Sequence, residues 1–546
     1  MPDTPTGFLA LDRSADQLDS SCTHLLMRLL LASLSGFLLF VPWLNTSLYW
    51  VGWVAWVPLL FALRGTRPLM ALGLGWVSGV VCFAGGSYWL AGFIVNLKGV
   101  GEVAGVLLAL LFWIYIGLSI GLGAMLYRWL RCRLGGCDLV GFPVAMVSVM
   151  TLYPMLFKTH FADGQVEFLP ALQAIDLTGA AGLDAMMMLF SVLLYRLLSP
   201  GVARGRAALM ANRVAWVLLL VWLVYGYVSL NSWDQRMQQW RTQQIGLVQP
   251  NDAVTLTIPP PPQGYSREYP EEMDATKRLI NEGAQWVVWP EARYKGYFDN
   301  FSVRSRYTEE VADQGVPLLF HDVEHRWEEA NQVSYNTVTL LNAQGEHAAQ
   351  YRKMLRMPFG EYLPEPWSWP GLNWLVEQVF GEFLRPLGAG TEHVSFMLDG
   401  MRVMPNVCYE AAFPEFVASA VGDDGAGKLL LFLSQDNWFG ETSQPLQHGN
   451  MSILRAVENR VPMVHLINNG PSVAATPNGR VLTRTPAFSR VEALVVMPVN
   501  EAAGGSWYSR HPQLFPRVLQ SILILLLGLG WWRGRRCNRM TRPIGS

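Results

Sequence analysis

The sequence predicts a polytopic α-helical membrane domain of about eight spans joined to one large α/β domain. Hydrophobic residues make up 51% of the 546-residue chain and charged residues only 15%, a balance that suits lipid around much of it. The apolar residues fall in long runs before about residue 231 and in one run near the C-terminus. Between 231 and 514 short β-rich runs alternate with amphipathic helical ones, the spacing of a layered α/β fold. With a formal net charge of −1, nothing in the overall balance points to nucleic acid.

Residues 1–23 are polar and mixed, without a basic stretch leading into a short apolar core, so a cytoplasmic tail and no removable signal peptide are expected. Seven stretches then approach the roughly 20 apolar residues a bilayer requires. They lie near 24–41, 47–63, 69–95, 101–127, 138–156, 177–198 and 212–230, and an eighth lies near 515–532. A tight hairpin through 42–46 is expected between the first two. Trp43, Trp50, Trp53 and Trp56 suit an outer interfacial belt, or a helix facing one. Asp184 falls inside a span, where an acid is a functional candidate by default and a protonated or interfacial side chain otherwise.

Arginine and lysine set the orientation. One set of loops carries Arg64, Arg67, Arg128, Arg131, Arg133, Arg196, Arg204, Arg206 and Arg213, and the tail 533–546 adds five more arginines. The opposite set offers Lys98 and Lys158. The arginine-rich side is therefore expected in the cytoplasm, and the 231–514 insert outside it. In a Gram-negative bacterium that is an inner-membrane protein with a periplasmic domain.

Within the insert, strands are predicted at 244–248, 285–289, 316–321, 333–341, 394–397, 403–407, 429–434, 463–467 and 493–498. Helices are predicted at 270–282, 302–314, 413–421 and 447–459, and turns at 342–345 and 477–479. The IPPPP run at 258–262 must be an exposed loop. Residues 361–390, rich in Trp, Pro, Gly and Phe without a period, should lie on the membrane or lid a pocket.

Three β-runs end in reactive side chains: Glu291 after VVWP, Lys353 after QYR, and Cys408 after MPNV. Cys408 is the only cysteine between Cys137 and Cys537, so neither a disulfide nor a cysteine-rich zinc site is written into this region. Each residue alone has an ordinary reading: a buried small hydrophobe, a surface ion-pair partner, a solvated strand end. Together they suit nucleophilic catalysis. A carboxylate can take the thiol proton, and an ammonium can stabilise both the thiolate and the oxyanion formed at an attacked carbonyl.

The motifs WPE, YRK…PFGEYLP and CYE resemble the nitrilase superfamily, whose Glu, Lys and Cys sit on an α-β-β-α sandwich. Combined with the spans, the chain is similar to the membrane-embedded apolipoprotein N-acyltransferases of that superfamily over nearly its whole length. Further segments share the likeness: GWVSGVVCFAGGSYWL, AIDLTGAAGLD, LVQPN, YNTVTLLNAQG, SQDNWFG and RAVENRVP…INNG. The resemblance implies Cys408 as nucleophile, Glu291 as general base and Lys353 as oxyanion stabiliser. It implies Glu361 as support for the lysine, Tyr409 and Glu410 as the residues completing the nucleophile turn, and Asn336 near the pocket. The N–H of Tyr409 would be a second oxyanion donor, and Asp436 and Trp438 scaffold and pocket wall. It further implies a ping-pong transfer of a fatty acyl chain. The chain would leave a phospholipid, ride on a cysteine thioester, and reach the α-amine of a diacylglyceryl-cysteine on a lipoprotein. No metal or cofactor is implied, and a monomer is expected.

Two segments depart from the family pattern. Ala292-Arg293-Tyr294-Lys295 replaces a small threonine-containing turn, and TLTIPPPPQGY follows Asn251 where a lysine-aromatic arm is usual. They favour an alternative reading, a membrane-anchored amidase or acyltransferase with a different acceptor. A non-catalytic assembly factor would be expected to have lost one of the three catalytic residues. A cysteine–histidine site using His393 or His448 has no motif around Cys408 to support it.

Overall fold

In a computed structural model the protein is described over residues 22–199, 205–254, 260–291, 298–328, 331–374, 376, 387–499 and 505–540. Among the described residues six helices are long and apolar enough to cross a membrane. They are α1 (Cys22–Leu44), α2 (Pro68–Gly86), α4 (Glu102–Leu134), α6 (Ala180–Leu198), α7 (Arg206–Met237) and α12 (Leu514–Met540). Two shorter apolar segments complete the set, Val51–Ala62 and α5 (Asp138–Leu152).

Hydropathy does not see breaks, and the predicted spans differ from the helices there. The 47–63 span is two short pieces, Val51–Val54 and Val57–Ala62, and the 69–95 span is cut at 87–89, after which α3 (Leu90–Lys98) turns away. Pro42 lies inside the last turn of α1 rather than in the expected hairpin. The turn is made by Asn45, whose Oδ1 accepts the N–H of Ser47 at 3.1 Å. Trp43, Trp53 and Trp56 are buried among the helices and only Trp50 is exposed, so three of the four expected belt tryptophans are core residues. Helices α2 and α4 touch backbone to backbone: a Cβ on Gly79 would stand 2.3 Å from the carbonyl oxygen of Gly117. Small residues are what permit such an approach between apolar helices.

The insert is a sandwich of two sheets. The first has the order β13-β1-β2-β3-β4-β5, with β6 (Leu387–Gly388) also on β4. Its strands are β1 (Thr242–Gln249), β2 (Trp286–Val288), β3 (Leu318–Glu328), β4 (Asn331–Leu341), β5 (His347–Arg352) and β13 (Val491–Pro498). The second has the order β12-β11-β10-β9-β8-β7. Its strands are β7 (Phe396–Leu398), β8 (Met401–Val407), β9 (Lys428–Ser434), β10 (Met463–Ile467), β11 (Val473–Ala475) and β12 (Val481–Arg484). Inward residues such as Leu247, Val288 and Leu340 meet Val403, Leu431 and Leu466 between the sheets. Each such side chain contributes about 1.5–3 kcal/mol by leaving water.

Helices α8 (Glu271–Asn281) and α9 (Phe301–Gln314) cover the outer face of the first sheet. Helices α10 (Pro414–Val421) and α11 (Gln444–Asn459) cover the second, and their far sides merge with the core of the membrane helices. Buried polar ties fix that seam: Glu458 accepts the N–H of Ala180 at 2.9 Å, and Arg460 pairs with Asp176 at 2.8 Å. The sandwich class and all nine predicted strands are present, and β5 is the β-run that ends at Lys353; the short pieces β6, β11 and β12 were not among them. The insert begins later than expected because α7 continues to Met237. Likewise α12 carries the first basic residues of the tail as helix, and 1–21, 292–297 and 541–546 lie outside the described residues.

Candidate active site

Strand direction brings the three reactive residues together. Strand β4 is antiparallel to both β3 and β5, so β5 runs the same way as β2 and β3. Glu291 and Lys353 therefore leave the same edge of the first sheet. Strand β8 of the facing sheet delivers Cys408 to them. Its chain turns sharply into a short 3-10 helix, Cys408–Ala412, with Cys408 at φ +50°, in the left-handed region that a non-glycine residue adopts at some cost. That turn lifts the sulfur off the end of the strand.

The carboxylate of Glu291 is buried and accepts two hydrogen bonds, from Asn336 Nδ2 at 3.0 Å and from the N–H of Gln435 at 3.1 Å. Asn336 also donates to Glu361 Oε1 at 3.2 Å, and its own oxygen meets His321 Nε2. Lys353, only 2% exposed, donates to Glu361 Oε1 at 2.8 Å, while Glu361 Oε2 accepts the N–H of Met357 at 2.7 Å. Burial opposes the Lys353 ammonium, but the carboxylates of Glu361 and Glu291 and the Cys408 sulfur together hold its pKa above the ordinary lysine range. Burial pushes the Glu291 carboxyl up, against the pull of Lys353. Burial and then the charge of Glu291 push the Cys408 thiol well up, again against Lys353. The resting arrangement is a protonated sulfur flanked by a fixed cation and a strained carboxylate.

Glu410 does something different. It accepts four hydrogen bonds: from Tyr351 Oη at 2.7 Å, from the N–H groups of Met354 at 2.7 Å and Leu355 at 3.0 Å, and from the N–H of Val407 at 2.7 Å. One carboxylate thus ties the residue before Cys408 to the two residues after Lys353. Changing Glu410 to Ala strands all four donors, and the protein should lose about 3 kcal/mol or more of stability. Thermal unfolding in detergent measures this; an unchanged midpoint would show that those donors find other partners.

Cys408 and Tyr409 open onto a partly enclosed cavity. Its walls are mostly apolar: Trp43, Phe83, Phe112 and Ile116 from the membrane helices, Met357 and Phe439 from the α/β domain. Helix α3 packs behind one wall, where Phe93 stacks on Phe439 at 4.5 Å and Asn96 donates to the carbonyl of Trp438 at 3.0 Å. Tyr409 Oη donates to the carbonyl of Leu156, so the turn at Cys408 is tied directly to the segment between two spans.

The carbon-nitrogen hydrolase family profile matches residues 251–501, and the profile of the apolipoprotein N-acyltransferase N-terminal domain matches residues 35–193. Both halves of one architecture are therefore present in one chain. The chain belongs to the apolipoprotein N-acyltransferase family. It is 28% identical to an apolipoprotein N-acyltransferase of Geobacter metallireducens over 89% of this chain and 92% of that one. The figures for one from Pseudomonas syringae pv. tomato are 27%, 86% and 89%. Among solved structures, a nitrilase-superfamily amidase from Nesterenkonia matches 50% of this chain and 97% of its own at 22% identity, with a TM-score of 0.36. Family membership and the long apolar helices make this a multi-pass bacterial membrane protein.

All seven sequence-predicted site residues of this apolipoprotein N-acyltransferase family member meet around Cys408, and Trp438 packs nearby. Asp184 does not reach the site; it accepts the N–H of Ala162 at 2.8 Å and pairs with His160 Nδ1 at 2.8 Å. His393 is remote too, against Ser419 and Phe416.

His448 was underrated by the sequence. Its Nδ1 meets buried Asp436 Oδ2 at 2.9 Å and its Nε2 meets the carbonyl oxygen of Cys408 at 3.1 Å. Both partners are acceptors, so both ring nitrogens carry protons. Burial opposes that charge, yet Asp436 and the Cys408 carbonyl raise the pKa above the usual histidine value. In a trans peptide the N–H points opposite to the C=O, so gripping Cys408 O aims the N–H of Tyr409 away from His448.

If the Tyr409 N–H serves an oxyanion as the family resemblance implies, His448 is a positioning residue for that donor, and pH should report it. A neutral imidazole can donate to only one of its two acceptors. Its folded pKa is raised above the usual histidine value, so the clamp is complete well below that raised value and fades as pH climbs through it. His448→Gln should slow thioester formation about tenfold or more and remove the alkaline fall-off of the wild type. An unchanged alkaline limb would rule the clamp out.

Proposed function

We propose that the protein is an N-acyltransferase that moves a fatty acyl chain from a membrane phospholipid, through a thioester on Cys408, to the α-amine of a diacylglyceryl-cysteine lipoprotein. The observation that carries this reading is the cavity: a nucleophile-bearing turn of a hydrolase-type sandwich opens into an apolar space walled by membrane helices. A water-soluble amide would need no such walls.

In the first half-reaction Glu291 takes the thiol proton as Cys408 Sγ attacks the ester carbonyl. The oxyanion is met by Lys353 Nζ and the Tyr409 N–H. Collapse expels the glycerol oxygen, which takes the proton back from Glu291, leaving a thioester and a lysophospholipid. In the second half-reaction the amine attacks the same carbonyl, Glu291 accepts its proton, and the thiol is regenerated with an amide as product. On this reading the α/β domain lies on the periplasmic face of the inner membrane, as the arginine distribution implies. The exposed Trp367, Trp369 and Trp374 then suit contact with the lipid surface.

Purified protein should be incubated with phospholipid and a synthetic diacylated lipopeptide while the intact masses of both are followed. An acyl adduct on the protein, discharged as the lipopeptide gains one acyl chain, is expected. An adduct that forms while the lipopeptide amine stays free would favour a different acceptor. No adduct at all would end the acyl-transfer reading.

A further inference from the structure

The same cavity contains one feature that acyl-chain binding does not use. Thr159 and Asp163 line it along with Cys408, and both come from the segment between α5 and α6. Asp163 is 6% exposed. One of its oxygens, Oδ2, accepts the N–H of His160 at 2.8 Å, whereas the other, Oδ1, is buried without a hydrogen-bond partner. The hydroxyl of Thr159 is likewise buried and unpartnered.

The cations nearby are engaged elsewhere. His160 pairs with Asp184 at 2.8 Å, Arg455 with Glu458 at 2.8 Å, and Lys158 with Glu415 at 3.4 Å. Among the described residues no ion pair reaches Asp163. A carboxylate in such surroundings is costly unless a cation arrives, and burial pushes the Asp163 carboxyl up to about 6.

The missing partner must donate hydrogen bonds and carry positive charge. A fatty chain offers neither, and ester or phosphate oxygens would be repelled. We propose that Asp163 and Thr159 form a docking site for a primary ammonium inside the acyl cavity. It is a subsite within the acyl-transfer reading and rests on it for its substrates. Two substrate groups share this chemistry: the α-ammonium of the acceptor and the headgroup ammonium of an ethanolamine phospholipid.

Binding to the full-length protein in nanodiscs tests this without turnover, on a Cys408→Ala background. Four probes are compared: a diacylated lipopeptide with a free amine, its N-acetylated form, an ether-linked phosphatidylethanolamine and an ether-linked phosphatidylglycerol. Asp163→Asn keeps an acceptor for the His160 N–H and removes the charge. It should weaken one or both amine-bearing probes about 10- to 100-fold and leave both neutral-end probes unchanged. Loss confined to the lipopeptide assigns the site to the acceptor, and loss confined to the ethanolamine lipid assigns it to the donor. Thr159→Val, which breaks no hydrogen bond of the fold, should act in the same direction and more weakly. Equal binding of all four probes to wild type and both variants, or a uniform loss across them, overturns the proposal. Because no acyl transfer is read, that result is separate from failure of the thioester experiment.

Discussion

Cys408→Ala protein incubated with phospholipid should show no mass increase, and acyl transfer should fall by about 10⁶-fold, to background. The size follows from the site. Among the residues around the cavity only this side chain offers a nucleophile flanked by an acid and an ammonium, and a methyl group cannot form the thioester. The substitution leaves the scaffold in place: the four hydrogen bonds of Glu410 and the grip of His448 on the Cys408 carbonyl involve no sulfur. Alanine also bears the left-handed turn at φ +50° no worse than cysteine does. Thermal unfolding should therefore match the wild type while the adduct vanishes. An adduct of the same mass on the Ala variant would place the nucleophile elsewhere.

What the sequence disclosed depended on whether function was written in side chains with their own pattern. Glu291, Lys353 and Cys408 each end an apolar β-run, and runs of that kind converge at a sheet edge, so their meeting was legible. The strands were legible for the same reason: alternation survives wherever one face meets the other sheet. His448 was not, because it holds a backbone oxygen forty residues away, and no side-chain motif marks such a partner. The polar side of the cavity was hidden as well. Thr159 and Asp163 sit in a segment that reads as a plain connection between spans, and only its packing among α1, α6 and α11 makes it a wall of the site. Broken spans at 55–56 and 87–89 escaped for a third reason, since hydropathy sums composition and is blind to where a helix bends toward a neighbour.

Glu291→Gln should slow thioester formation about 10²- to 10⁴-fold at neutral pH with little change in stability. The fold keeps most of what Glu291 supplies, because the Gln oxygen can still accept from Asn336 or from the Gln435 N–H. What disappears is the proton acceptor. Burial and the charge of Glu291 raise the thiol pKa in the wild type, so little thiolate exists before substrate arrives. Attack and proton transfer must then be coupled, and Glu291 is placed to receive the proton because burial also raises its own affinity for one. In the Gln variant that route is closed, and only the small fraction of free thiolate can react. Its rate should therefore climb with pH toward the raised thiol value, across a range where the wild-type rate no longer rises with pH. Removing the carboxylate also removes one of the charges that lifts the thiol, so the climb should begin lower than the wild-type thiol would suggest. Rapid-quench intact-mass measurements between pH 6 and pH 10 would trace it. A Gln variant that forms the adduct at the wild-type rate at neutral pH would take the proton-transfer role away from Glu291. Lys353, with its ammonium held in the charged form by Glu361 as well as by Glu291, would then have to lower the thiol pKa on its own.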